Sequence, residues 1–515
     1  LTTPPHAAKP WLLGAGSLVA VAAAATLALH LYAGRQYGFF VDELYYLDCG
    51  RHLAWGYVDQ PPLIALIARI ARALFGDSLS GIRLPAALAG AAAVLLTGLL
   101  TRELGGRRFA QGIAALSVLL APGILALDHI LSMNAFEPLL WMGCALVVIR
   151  IVRTGNLRLW IWFGVLAGIG LENKHSMLIF GFGLIAGLLL TRERRILASR
   201  WLWIGGGIAF LIFLPNLLWN IQHHFPFLEL QANIRRSGRD VPLSPLSFFA
   251  QETLAMLPLS LPIWLAGLWY LFFHREGKTY RALGWAWTIS AVIIVAGSPR
   301  VYYLFPAYPL LLAAGGVAWE RWLTAPRMQW IKPAYSTLMV LMAALLAPTL
   351  LPLLPPETYI RYAERTHLQQ PRLETHRLGP LPQLFADQFG WPEMAATVAG
   401  AFNTLPPDVR AKTCIFAQNY GQAGAINLFG PKYGLPRAIS GHQSYFLWGP
   451  GSCTGESVIV LAGSRQSLES EYAAVRKVTR VEHPYSMPYE HFDVFYCQGL
   501  KLPVSEVWPR VKNWD

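Results

Sequence analysis

Apolar runs of roughly 20 residues, the length that crosses a bilayer as a helix, recur along the first two thirds of the chain between short polar loops. They predict eleven spans, at 11–33, 84–101, 109–127, 134–152, 159–172, 175–191, 201–219, 249–273, 282–297, 303–320 and 333–353. One further stretch, 61–76, carries Arg69 and Arg72 in a pattern that suits an amphipathic helix on the membrane surface better than a span. Past about residue 355 the pattern changes. A Pro-rich run ends the last span, strands are predicted at 412–417, 457–463, 477–481 and 492–497, and helices at 421–429 and 466–475. The expected organisation is therefore a polytopic α-helical membrane domain over 1–354, with an external loop at 34–83, followed by a soluble external α/β domain over 355–515.

Composition sharpens this picture. The chain is 54% hydrophobic and 14% charged, against about 25% charged in soluble proteins, which excludes a soluble enzyme of this length. A net charge of +13 would suit a nucleic-acid binder, but the basic residues sit in short loops between apolar runs, where they set topology. Arg102, Arg107 and Arg108 fall on one side under the eleven-span count, as do Arg150, Arg153 and Arg158, then Arg192, Arg194 and Arg195, then Arg275, Lys278 and Arg281, and last Arg321, Arg327 and Lys332. That side is the cytoplasm by the positive-inside rule. The N-terminus is then cytoplasmic and the tail external, periplasmic for a bacterial inner membrane. Segment 11–33 reads as the first transmembrane helix and not as a cleavable signal. The five cysteines show no metal spacing; Cys414, Cys453 and Cys497 lie in the tail, where one disulfide is open to them in an oxidising compartment.

Candidate chemistry gathers in the polar loops of the expected external side. Asp42 and Glu43 follow the first span directly, Tyr45 and Tyr46 come next, and Asp59 and Gln60 close a short helix-like run before two prolines. Carboxylates at a membrane surface are functional candidates by default. Asp128, His129 and Asn134 form a second polar loop. Glu172, Asn173, Lys174 and His175 interrupt an otherwise apolar hairpin. A buried Lys there needs a partner, whether Glu172, an anion or water. The long basic stretch from Asn220 to Ser247, with His223, His224, Arg235, Arg236 and Arg239, reads as an external loop that either folds over a bound substrate or is simply solvent-exposed.

The stretch from Gly38 to Tyr46, with Asp-Glu at its centre, and the Asp-Gln-Pro-Pro-Leu segment from Asp59 resemble the first external loop of the GT-C glycosyltransferases of family 39. That family holds protein O-mannosyltransferases and the aminoarabinose transferases of lipid A. The resemblance implies a GT-C fold and inverting transfer of a sugar from a polyprenyl-phosphate carrier to a lipid, glycan or protein acceptor outside the cytoplasm. Asp42 would be the general base for the acceptor hydroxyl; a phosphate leaves unprotonated, so one carboxylate suffices, unlike the pair in hydrolases. The competing reading makes Asp42 only the N-cap of a helix over 43–55. Glu43 would support Asp42 or bind acceptor, or serve as a first-turn acid. Lys174 and Arg300, the latter ahead of Tyr303, match positions that hold the carrier phosphate, with Arg83 as a third choice.

Tyr45, Tyr46, Asp59, Gln60, Asp128, His129, Asn134 and His175 complete the expected substrate site. Two departures stand out. The aminoarabinose branch commonly has Lys where this chain has Gln60, and many relatives have Asp where it has Asn134, a role open to Asp128 or Glu137. No cofactor and no metal are expected; a divalent ion on Asp42, Asp128 and His129 is the less favoured alternative. A transporter or flippase of lipid-linked saccharides is the alternative function. The chain lacks the internal repeats common in such proteins.

Overall fold

The computed structural model describes Trp11, Gly14 and residues 16–297, 300–370, 372 and 374–515. Ser298 and Pro299, which precede Arg300 in the expected phosphate motif, lie outside the described residues. Contacts divide the chain into two compact units. The first comprises residues up to Ala33, Arg83–Pro215 and Pro242–Leu351; the second comprises Gly34–Ile82, Asn216–Val241 and Pro352–Asp515.

Among the described residues six helices are long and apolar enough to cross a membrane: Leu79–Glu103, Met133–Thr154, Arg200–Gln222, Gly277–Ala296, Val301–Trp322 and Pro326–Thr349. Two more stretches qualify only as bent pairs. Arg108–Leu119 meets Pro122–Asp128 at 62°, and Pro245–Ala255 meets Pro258–Phe273 at 98°. A proline opens the second arm of each pair, where it cannot donate the bond that would continue the preceding helix. The remaining expected spans fall on shorter helices, Ser17–Ala33, Trp160–Asn173 and Met177–Leu189. Length and composition thus support six spans, or eight with the bent pairs, where the apolar pattern predicts eleven.

Small residues let helices of the first unit approach closely. A Cβ on Gly315 would sit 1.9 Å from the Ile263 carbonyl oxygen, and one on Gly267 would sit 2.1 Å from that of Leu311. The helices Leu261–Phe273 and Tyr308–Trp322 therefore touch backbone to backbone, as membrane helices do where van der Waals packing replaces the hydrophobic effect.

The second unit is built on a five-stranded sheet of order β2-β1-β3-β5-β4. Its strands are β1 (Thr413–Ala417), β2 (Ala438–Ser440), β3 (Ser457–Leu461), β4 (Tyr472–Val481) and β5 (Phe492–Leu500). β1 runs parallel to β2 and β3, with Ile415 opposite both Ala438 and Ile459. β5 runs antiparallel to β3 and β4. Every residue of β3 is buried, which suits a central strand covered on both faces. Three features differ from the sequence pattern. β2 is an additional strand, the helix expected over 466–475 stops at Glu471, and β4 begins at once in its place. Cys414 and Cys453 form the disulfide, while Cys497 is a buried thiol.

The same unit takes up the expected external loop as two helices, Val41–Arg51 and Leu63–Phe75. The basic stretch after Asn220, expected as an external loop, instead contains the helix Pro226–Ser237. That helix buries Leu230 and Ile234 with Val58 and Trp514.

Candidate active site

Helix Val41–Arg51 begins with Phe40 as its N-cap. The Glu43 carboxylate accepts the Phe40 backbone N–H at 2.8 Å and is completely buried. Glu43 therefore closes the helix entry, the role a third-position glutamate plays in capping. Asp42 lies inside the first turn rather than at the cap, half-buried. Its Oδ1 accepts the Tyr420 hydroxyl at 2.7 Å.

Tyr420 reaches Asp42 for a local reason. Asn419 caps the helix Tyr420–Phe429, its side chain accepting the Gln422 N–H at 2.8 Å. Gly421 and Gly424 then lie against helix Val41–Arg51, where Cβ atoms would come within 2.4 Å of Val41 and 2.8 Å of Leu44. Side chains there would push the two helices apart and withdraw the tyrosine.

A second carboxylate stands beside the first. Asp59 Oδ1 is 2.9 Å from the Tyr45 hydroxyl, which is also 2.7 Å from Ser444 Oγ. Tyr45 has one proton to give; the carboxylate takes it, and Ser444 donates to the phenol oxygen while its own oxygen accepts Val58 N–H at 3.1 Å. Burial pushes the Asp59 carboxyl up to about 7, with the Tyr45 bond opposing the rise and the Asp42 charge adding to it. Burial also holds the Tyr45, Tyr46 and Tyr420 phenols well above their usual range, and the Asp42 charge reinforces this at Tyr46 and Tyr420. All three remain proton donors at neutral pH. Gln60, by contrast, is buried with its amide nitrogen 3.7 Å from the Cys49 sulfur.

The tail supplies the rest of this cluster. His442 accepts the Tyr420 N–H on Nδ1 at 3.1 Å and stacks on the Tyr420 ring; burial lowers it to about 4, so it is neutral. Asp387 accepts the Tyr489 hydroxyl at 2.8 Å, and Glu490 accepts Asn419 and Gln422 amides at 2.8 and 2.9 Å. Burial raises both carboxyls. Arg239 is a cation in this field; its charge reaches Tyr420 and His442, and it pairs with Glu374 at 3.6 Å.

The first unit holds a separate cationic cluster. Lys174, 14% exposed, donates to Asn134 Oδ1 at 2.8 Å and to Glu137 Oε2 at 3.0 Å. Its ammonium also lies over the rings of Tyr302 and Tyr303, 5.5 and 4.8 Å from their centroids. Ser176 donates to the other Glu137 oxygen. Lys174 thus pairs with Glu137, from a different helix, and not with Glu172, whose carboxylate oxygens are buried without hydrogen-bond partners. Arg300 immediately precedes the short 3₁₀ turn Val301–Tyr303 and is partly exposed. His175 packs edge-on to Phe213.

Arg83, Asp128 and His129 stand apart from Lys174 in character. Each is almost fully buried. Arg83 acts electrostatically on His129, as does His30. The Asp128 carboxylate presses on the helix at Gly90, where a Cβ would come within 2.4 Å of it. Among the described residues no three His, Cys, Asp or Glu side chains are placed to hold a metal ion.

Residues 59–219 match the family model described as dolichyl-phosphate-mannose-protein mannosyltransferase. Lipid A galacturonosyltransferase RgtD of Rhizobium johnstonii is 28% identical over 253 residues, 47% of this chain and 50% of that protein. The chain thus spans about half the length of the curated relative it matches. Among solved structures, ArnT of Cupriavidus metallidurans bound to undecaprenyl phosphate aligns with a TM-score of 0.60 at 15% identity, covering 95% of this chain and 98% of that one. The apo oligosaccharyltransferase of Archaeoglobus fulgidus aligns at 0.51 and 14% identity, over 82% of this chain and 64% of that one. This chain is a multi-pass membrane protein with the GT-C fold, in keeping with its resemblance to the family 39 glycosyltransferases.

Proposed function

We propose that the chain is a membrane glycosyltransferase that moves a sugar from a polyprenyl-phosphate carrier to an acceptor outside the cytoplasm, with inversion at the anomeric carbon. The observation that carries this reading is Asp42, a partly accessible carboxylate in the first turn of a helix, oriented by the Tyr420 hydroxyl. Asp42 takes the proton of the acceptor hydroxyl as its oxygen bonds to the anomeric carbon. The bond from that carbon to the phosphate oxygen breaks, and polyprenyl phosphate leaves with the electron pair. Glu43 positions the helix. Lys174, Arg300 and Tyr303 are assigned to the donor phosphate. The undecaprenyl phosphate bound to ArnT and the lipid A substrate of RgtD support a lipid-phosphate donor and a glycolipid acceptor.

The testing experiment is transfer by the purified protein in detergent from an undecaprenyl-phosphate sugar, with acceptor glycolipid added. Transfer without a gradient or a second compartment is the expected result. If saccharide moves only across sealed vesicles and no glycosidic bond forms, the protein is a transporter.

The proposed setting is a bacterial inner membrane, with the second unit periplasmic. The loop charges support this orientation, as does the disulfide between Cys414 and Cys453, which persists in oxidising compartments. A reporter that fluoresces only in the cytoplasm, fused after residue 515, should stay dark. A bright fusion reverses the orientation.

A further inference from the structure

The second unit contains a cavity of about 470 Å³ lined by Leu47, Gly50, Arg51, Arg69, Arg72 and Ala73, together with Arg437 from the segment before β2. Four of these lining residues are arginines. Arg51 is paired with Asp48, which is also engaged by Asn427 and Tyr445. Arg72 Nε is 2.7 Å from Asp77, but its buried Nη1 has no hydrogen-bond partner. Arg69 makes one long contact, 3.5 Å, to the Gly50 carbonyl. Neither Arg69 nor Arg437 has an ion-pair partner among the described residues. Two acids against four arginines leave the cavity net positive, with planar donors suited to phosphate oxygens.

The helix that carries Arg69 and Arg72 has a second property. It buries Ile64, Ala65, Ala68 and Ala71 within the unit, yet leaves Leu66, Ile70 and Leu74 exposed at four-residue spacing, by 43%, 50% and 70%. On a helical projection Arg69 falls between the buried face and this open apolar stripe, while Arg72 lies within the arc of buried positions. A soluble anion would use the arginines and leave the stripe in water. A molecule with a phosphate head and hydrocarbon tails would use both, as interfacial helices do.

We propose that this cavity binds the phosphate headgroup of an anionic membrane phospholipid, with its acyl chains along Leu66, Ile70 and Leu74. The site anchors the second unit at the membrane surface and does not depend on the transferase reading above.

Native mass spectrometry of the full chain, titrated with phosphatidylglycerol or phosphatidylcholine, tests it. The wild type should prefer phosphatidylglycerol, and Arg69→Gln with Arg437→Gln should weaken that lipid about twenty-five-fold, two surface charges at roughly fivefold each. Thermal unfolding should be unchanged, because neither arginine is part of an ion pair. Ile70→Ser with Leu74→Ser should weaken the lipid while leaving any inorganic phosphate binding alone. Equal phosphatidylglycerol binding by wild type and the arginine variant overturns the proposal. So does inorganic phosphate binding as tightly as the lipid with the stripe variant silent, which would make this a soluble-anion site.

Discussion

Asp42→Asn protein should transfer sugar at less than about a hundredth of the wild-type rate, the usual scale for losing a general base, while folding normally. The structure makes this substitution a clean one. Phe40, not Asp42, caps the helix, and Glu43 closes its entry. The carbonyl of the substituted amide can still accept the Tyr420 hydroxyl, so the link to the tail survives. What disappears is a negative charge in the first helical turn, worth about 0.3–1 kcal/mol, and the ability to accept a proton at neutral pH. Tyr420→Phe is the companion variant: it keeps the base and releases its orientation, so it should lower turnover less. The measurement is single-turnover transfer alongside thermal unfolding. Transfer by Asp42→Asn above about a tenth of wild type would remove Asp42 as the base. The search would then move to Asp59, whose carboxyl, raised to about 7 by burial, already titrates near neutral pH.

The proposed donor site carries the second large effect. Removing Lys174 alone would leave Glu137, 3% exposed, without its cation, and breaking a buried pair costs about 3–5 kcal/mol. Lys174→Met should therefore be made together with Glu137→Gln, and Glu137→Gln alone is the control. In the double variant, donor affinity should fall about ten- to hundredfold, the loss of one charge-assisted bond worth roughly 1.5–3 kcal/mol. Arg300→Met should cost a similar factor, and the control should bind donor at least as well as wild type. Equilibrium binding of undecaprenyl phosphate reads these outcomes directly. Unchanged affinity in the double variant would make Lys174 merely the partner of Glu137.

The apolar runs were legible because hydropathy is a one-dimensional property, and among the described residues each predicted run falls mainly on helix. The length of each helix was not, because breaks such as those at Pro122 and Pro258 are set by packing as well as composition. β2 escaped notice because three residues offer too little periodicity. The pairing of Lys174 shows a different failing. Glu172 was the near neighbour, but the helix ends at Asn173 and Lys174 follows it in extended backbone, and the partner came from 37 positions away. Asp42 stood out by its motif and Arg239 as part of the basic 220–247 stretch, whereas Tyr420, His442 and Ser444 did not. The one local sign of Tyr420 was an Asn cap followed by Gly421 and Gly424, the pattern of a helix meant to lie close to another.

That close packing has a consequence for how the protein is made. Asp42 and Tyr420 are 378 positions apart. Synthesis at about 5–20 residues per second puts roughly 20 to 75 s between their emergence from the ribosome. Throughout that interval the nascent chain carries its carboxylate without the phenol that orients it. If Asp42 is the base proposed above, a protein still being inserted lacks it in finished form, and activity would begin only once the tail has folded back onto the segment that left the ribosome first.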